Sequence, residues 1–147
     1  MTSIEDYLNE NGSLTYSNVG TSMMPLLRQG RDLFIVRPKS PGERFGVGDV
    51  ILYKRPPEQY VLHRVVEVLP DGYIILGDNC VRREVGIPDS EILGVMTGFV
   101  RDGKEHSVTE HGYRLYTAWI LKTERPRIAR KKLWIKAKRA LKRLVGR

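Results

Sequence analysis

The chain has 147 residues, 41% of them hydrophobic and 29% charged, which is enough for one domain with a buried core and too apolar for wholesale disorder. Its single cysteine, Cys80, excludes an internal disulfide and a cysteine-rich zinc site, no apolar run approaches the ~20 residues that cross a bilayer, and the acidic, polar first twelve residues do not read as a signal peptide. The net charge of +8 is unevenly spread: residues 122–147 hold twelve Lys/Arg against one acid, Glu124, for +11, whereas the first 121 residues sum to −3. The expectation is a mildly acidic cytoplasmic domain with a strongly basic tail.

Ser3, followed by Asp6 three residues later and by Gly12, predicts a short capped helix. From Leu14 the pattern changes to short segments rich in β-branched and aromatic residues, punctuated by Gly, Pro and Asp. They are Leu14–Val19, Leu33–Arg37, Val50–Tyr53, Tyr60–Leu69, Tyr73–Leu76 and Ile92–Val100, and they predict a mainly β domain over residues 1–121. Residues 38–48, with two prolines and three glycines, read as a loop. Pro70-Asp71-Gly72 and Arg101-Asp102-Gly103 read as hairpin turns. His106 and His111 flank a polar stretch and are expected on the surface; Glu105 and Glu110 beside them give only weak support for metal binding, and neither a metal nor a cofactor is expected.

The tail, residues 122–147, is predicted to be a basic amphipathic helix. At about 100° per residue, Ala129, Leu133, Trp134, Ala137, Ala140, Leu141, Leu144 and Val145 share one face. Lys131, Lys132, Lys136, Lys138, Arg139, Lys142, Arg143 and Arg147 take the other, and only Arg130 and Ile135 fall on the wrong side. Pro126 lies near the start, where a missing N–H costs little. The candidate partner for this helix is an anionic membrane surface, contacted through residues 127–147 on the inner face of the membrane. Nucleic acid is the weaker candidate, and packing of the stripe on the chain's own domain or on a second copy is the bland alternative.

Three residues could carry chemistry. Ser22 follows a break at Gly20 and precedes Met23-Met24-Pro25, a bend that can expose a hydroxyl beside unpaired backbone N–H groups; it is as readily the cap of a short helical turn. His63 lies in an apolar strand, with parity that groups it with Val61, Val65 and Glu67. It is either a general base or a hydrogen-bonded, half-buried strand residue. Asp78, in Gly77-Asp78-Asn79, is first a turn former. A hairpin pairing positions that sum to about 142 would bring it near His63, whose tautomer it could then fix.

Gly20-Thr21-Ser22-Met23-Met24-Pro25, Gly48-Asp49-Val50-Ile51-Leu52-Tyr53, Val61-Leu62-His63-Arg64-Val65-Val66 and Ile75-Leu76-Gly77-Asp78-Asn79 resemble, in order, the successive boxes of type I signal peptidases and of the related LexA-like self-cleaving peptidases. The resemblance covers residues 14 to 100 and implies a small antiparallel β domain of that catalytic type, here followed by the basic amphipathic helix. It implies a serine endopeptidase with Ser22 as nucleophile, His63 as base and Asp78 as orienting acid, acting on an extended peptide or protein with small side chains near the scissile bond. Thr21, Met23 and Pro25 would then lie on the oxyanion and substrate side. Histidine stands where bacterial members carry lysine, as in the endoplasmic-reticulum and archaeal type, with Lys54 a weaker candidate base. Gly20 replaces a serine that helps many signal peptidases hold the oxyanion, so a purely backbone oxyanion hole is expected, in a variant with no membrane anchor. The alternative is a LexA-like self-cleaving or non-catalytic regulatory module.

Overall fold

A computed structural model describes residues 3–146. Helix α1 (Ile4–Asn11) begins where the Ser3 hydroxyl accepts the Asp6 N–H at 3.1 Å. It stops at Gly12, whose φ of +75° is the left-handed cap that glycine accepts most readily. Eight antiparallel strands follow: β1 (Leu14–Ser17), β2 (Asp32–Pro38), β3 (Val50–Arg55), β4 (Gln59–Leu69), β5 (Gly72–Leu76), β6 (Glu84–Ile87), β7 (Ile92–Arg101) and β8 (Lys104–Ser107). The sheet order is β1-β2-β7-β3-β4-β5-β6, with β8 pairing the C-terminal half of β7. Helices α2 (His111–Lys122) and α3 (Glu124–Val145) close the chain. The fold is mainly antiparallel β with a C-terminal helical extension.

The continuous apolar run of β3 has a structural reason. Strand side chains alternate between faces, and β3 has a core on both: Val50 and Leu52 pack with Leu14, Met23, Phe34 and Met96, while Ile51 and Tyr53 pack with Val65, Tyr73 and Ile75. All four β3 residues are buried.

Three elements lay outside the sequence expectation. β6 and β8 are four-residue edge strands, too short and too polar to show an alternation. The stretch read as a polar loop from His106 to His111 holds the end of β8 and the start of α2. In α2, Tyr113, Tyr116, Thr117 and Ile120 turn inward at helical spacing. His111 is exposed, as expected; His106 is half-buried, stacked on Phe99 at 5.0 Å between centroids and 3.0 Å from Glu110.

The tail helix starts at Glu124, ahead of Pro126, which occupies one of the first four positions whose N–H groups need no helical partner. Arg147, the last residue of the predicted helix, lies outside the described residues. No helix is long and apolar enough to cross a membrane among the described residues.

Candidate active site

After β1 the chain turns at Gly20, whose φ is +84° and whose N–H donates to Gln29 Oε1 at 2.9 Å. Met23, Leu26 and Leu27 then bury their side chains in the first core, anchoring the turn next to Ser22. Within it, the Met24 N–H donates to Thr21 O at 3.2 Å and the Leu27 N–H to Met23 O at 3.0 Å. Among the described residues the N–H groups of Ser22 and Met23 have no protein acceptor. The segment is a single helical turn closed by the Leu27 N–H to Met23 O bond, and among the described residues no backbone N–H donates to the Ser22 hydroxyl, so that hydroxyl does not cap it. It is a half-buried hydroxyl on a turn pinned by core side chains, with two backbone donors free beside it.

The Gly77–Cys80 turn braces this segment from the other side. The Asn79 N–H donates to Ser22 O at 2.8 Å, and Asn79 Nδ2 donates to Thr21 O at 2.9 Å. Gly77 is where the serine turn and β4 converge: a Cβ there would lie 2.7 Å from Ser22 O, 2.7 Å from Cys80 Sγ and 3.0 Å from His63 Cδ2. A Gly77→Ala substitution is therefore expected to push the serine turn off the imidazole. Displacements of about 1 Å cost on the order of a hundred-fold in rate, so a reaction carried by Ser22 and His63 should lose that much in kcat with KM little changed, measured by steady-state kinetics.

His63 is 8% exposed, on the face of β4 that carries Val61 and Val65 into the second core. Its Nδ1 lies 3.5 Å from the Tyr53 hydroxyl and 3.9 Å from Glu84 Oε1, and Glu84 is in turn ion-paired with Arg55. Burial pushes the imidazole below its ordinary pKa; the Glu84 charge opposes this and Arg55 reinforces it. Burial thus favours the neutral ring, whose Nδ1 faces Tyr53 and Glu84 and whose Cδ2 edge faces Gly77. Ser22 and His63 line the same cleft of about 330 Å³.

Asp78 does not orient His63. The Leu69↔Gly72 turn is tight, and a bulge at Val66 shifts the ladder once more, so β4 and β5 pair Arg64 with Leu76, a sum of 140 and not 142. Paired residues share a face of the sheet, which puts Leu76 and Asp78, two residues apart, on the face of Arg64 and His63 on the other. The Asp78 carboxylate takes Arg64 Nε at 2.8 Å and Arg64 Nη2 at 2.9 Å, and it accepts the Tyr116 hydroxyl at 2.8 Å. Both charged side chains are almost completely buried. Burial alone would lower the Arg64 pKa, but the bonds to Asp78 hold it above its ordinary value. The carboxylate facing His63 is Glu84, delivered by β6. No local motif marked it, because only the pairing of β6 with β5 brings it there.

Lys54 is ion-paired with Glu5 at 3.1 Å, a bond that raises its pKa, and it does not line the cleft. Thr21, Met23 and Pro25 also lie outside the cleft lining. The Met23 side chain is fully buried, with its sulfur receiving the Asp78 N–H at 3.4 Å, so only its backbone can serve an oxyanion. Pro25 faces a second cavity, shared with Trp119 and Trp134. Among the described residues no cluster of three metal-ligating side chains occurs.

The cleft runs between two strand edges. β1 is the terminal strand of the sheet, and residues 59–63 of β4 precede the point at which β5 begins to pair. Leu14, Tyr16 and Ser17 line one wall, Tyr60 to Leu62 the other, and Phe34 and Leu52 the apolar floor. No protein-family model, curated protein or solved structure matches this chain.

Proposed function

We propose that the chain is a serine endopeptidase of signal-peptidase type that hydrolyses a peptide bond of an extended peptide or protein. One observation carries the reading: Ser22 and the buried His63 line one cleft flanked by unpaired strand edges, with the Ser22 carbonyl and the imidazole Cδ2 edge both packed over the bare Gly77. An extended chain entering such a cleft can add main-chain hydrogen bonds to either edge.

His63 Nε2 takes the Ser22 proton as Oγ attacks the scissile carbonyl. The carbonyl oxygen, now an anion, receives the N–H groups of Ser22 and Met23. The imidazolium then protonates the departing amine, leaving an acyl ester on Ser22. His63 next deprotonates a water that attacks the ester, and the proton it gained returns to Ser22 Oγ as the acid product leaves. Tyr53 and Glu84 face the Nδ1 side of the ring, at 3.5 Å and 3.9 Å, and take the place that the sequence resemblance gave to Asp78. Preference for small side chains near the scissile bond rests on that resemblance.

The pH dependence tests the choice of base. A histidine works only when neutral, and burial lowers the His63 pKa, so the ascending limb of kcat/KM is expected below the ordinary imidazole value of about 6.5. Glu84 favours the imidazolium, so Glu84→Gln should move that limb further toward acid. A limb near or above pH ~8 that disappears with Lys54→Ala would assign the base to lysine instead.

A further inference from the structure

Helix α3 presents two different stripes. Glu124, Arg127, Ile128, Lys131 and Ile135 recur at helical spacing and are wholly or partly buried against the domain. Arg127 donates to Asp78 O and to Ile120 O, both at 2.7 Å. Lys131 reaches Asn79 O and, at 2.9 Å, Asn79 Oδ1, while Glu124 accepts Arg83 at 2.7 Å. The docked half thus grips the turn that braces Ser22. Ile135, which fell on the wrong side of the predicted wheel, belongs to this docked stripe.

The second stripe lies about 110° around the helix, at 100° per residue. Leu133, Trp134, Leu141, Leu144 and Val145 are 58–80% exposed, and every residue from Lys136 to Gly146 is open to solvent. Nothing in the domain covers it, so the stripe does not pack on its own domain. It is bordered by Lys136, Lys138, Lys142 and Arg143, and residues 125–147 contain no acid. Trp119 of α2, also exposed, stands beside Trp134 on the cavity that Met24 and Pro25 of the serine turn share.

We propose that α3 seats the protein on an anionic lipid bilayer, lying in the interface with Leu133, Trp134, Leu141, Leu144 and Val145 in the acyl boundary and its flanking lysines and arginines among the headgroups. A helix with a cationic face and a Trp/Leu face has the composition of an in-plane membrane helix, and its charge matches anionic headgroups. A second copy is a poor occupant, because it would press two +11 segments together. Nucleic acid would match the charge but gives no reason for five large apolar side chains in water. Because α3 also holds the Gly77–Cys80 turn, this seating sets the catalytic cleft at the bilayer surface. The inference does not depend on Ser22 being a nucleophile.

The test is flotation of the full chain with phosphatidylcholine vesicles, with and without phosphatidylglycerol. We expect at least about ten-fold stronger partitioning with the anionic lipid, weakening with salt and accompanied by a blue shift of tryptophan emission. Leu141→Glu combined with Leu144→Glu touches only exposed side chains, so the melting temperature should stay unchanged while vesicle binding is lost. The variant Ser22→Ala should bind vesicles like the parent, which separates this result from any failure of the peptidase reading. Undiminished vesicle binding by the double variant would overturn the proposal. So would binding of duplex DNA by both proteins with no affinity for either vesicle.

Discussion

Asp78→Ala is expected to cost the fold about 3–5 kcal/mol, because it strands the completely buried Arg64 guanidinium without its counterion. For a domain of this size, 1 kcal/mol shifts the melting temperature by about 2–4 °C, so the midpoint should fall by about 6–20 °C. The Tyr116 hydroxyl loses its acceptor in the same variant, adding the penalty of an unpaired buried donor. Replacing both partners, with Arg64→Met and Asp78→Leu, should destabilise less than either single change, since a buried pair is dispensable as a unit but not by halves. The pH–rate limb supplies a second reading of the same variant. Asp78 is the smallest of the charges acting on His63, so Asp78→Asn should move the limb less than Glu84→Gln does. An Asp78→Ala protein that melts normally and loses only kcat would restore Asp78 to the orienting role.

The other large effect falls on rate. Ser22→Ala and His63→Ala are each expected to lower kcat/KM by about a million-fold, the scale seen when either partner of a serine–histidine pair is removed. The double variant should be no worse than either single one, because the nucleophile and its base act as one device. His63→Ala opens a cavity in the second core, so its melting curve must be followed alongside. Ser22→Ala removes one half-buried oxygen and should leave the fold intact. Lys54→Ala should have little effect on rate, since Lys54 is committed to Glu5 and does not line the cleft.

Much of this arrangement was legible in the chain because its signals are local. The α1 caps, the β-rich segments, the Pro70-Asp71-Gly72 turn and the amphipathic tail depend on neighbours in sequence, and the folded chain has each of them. That Ser22 and His63 line one cleft agrees with the order of the sequence boxes that named them. What was not legible depends on register and on distant pairing. Moving the β4–β5 sum from 142 to 140 needed only a tighter turn and one bulge, and it sets Leu76 opposite Arg64. Both sums are even, so either one places Asp78 on the face of Arg64 and not on that of His63; this parity was legible in the chain. Glu84 could not be found from its own surroundings, because a four-residue edge strand carries it to His63. Helix α2 was missed for a different reason: its exposed face carries Leu115, Ala118 and Trp119 while its inward face carries two tyrosines and a threonine beside Ile120, so the apolar period is muted even though the spacing is helical. Ile135 departed from the wheel because α3 has two apolar directions, one for the domain and one left open.

The central claim, that Ser22 activated by His63 cleaves peptide bonds, is tested most directly by incubating the purified chain with a proteome-derived peptide library and counting new termini by mass spectrometry. New termini are expected with the parent protein and absent with Ser22→Ala and with His63→Ala, at matched folding by circular dichroism. The same new termini appearing with Ser22→Ala would contradict the account, and so would a parent protein that leaves the library uncut at neutral pH.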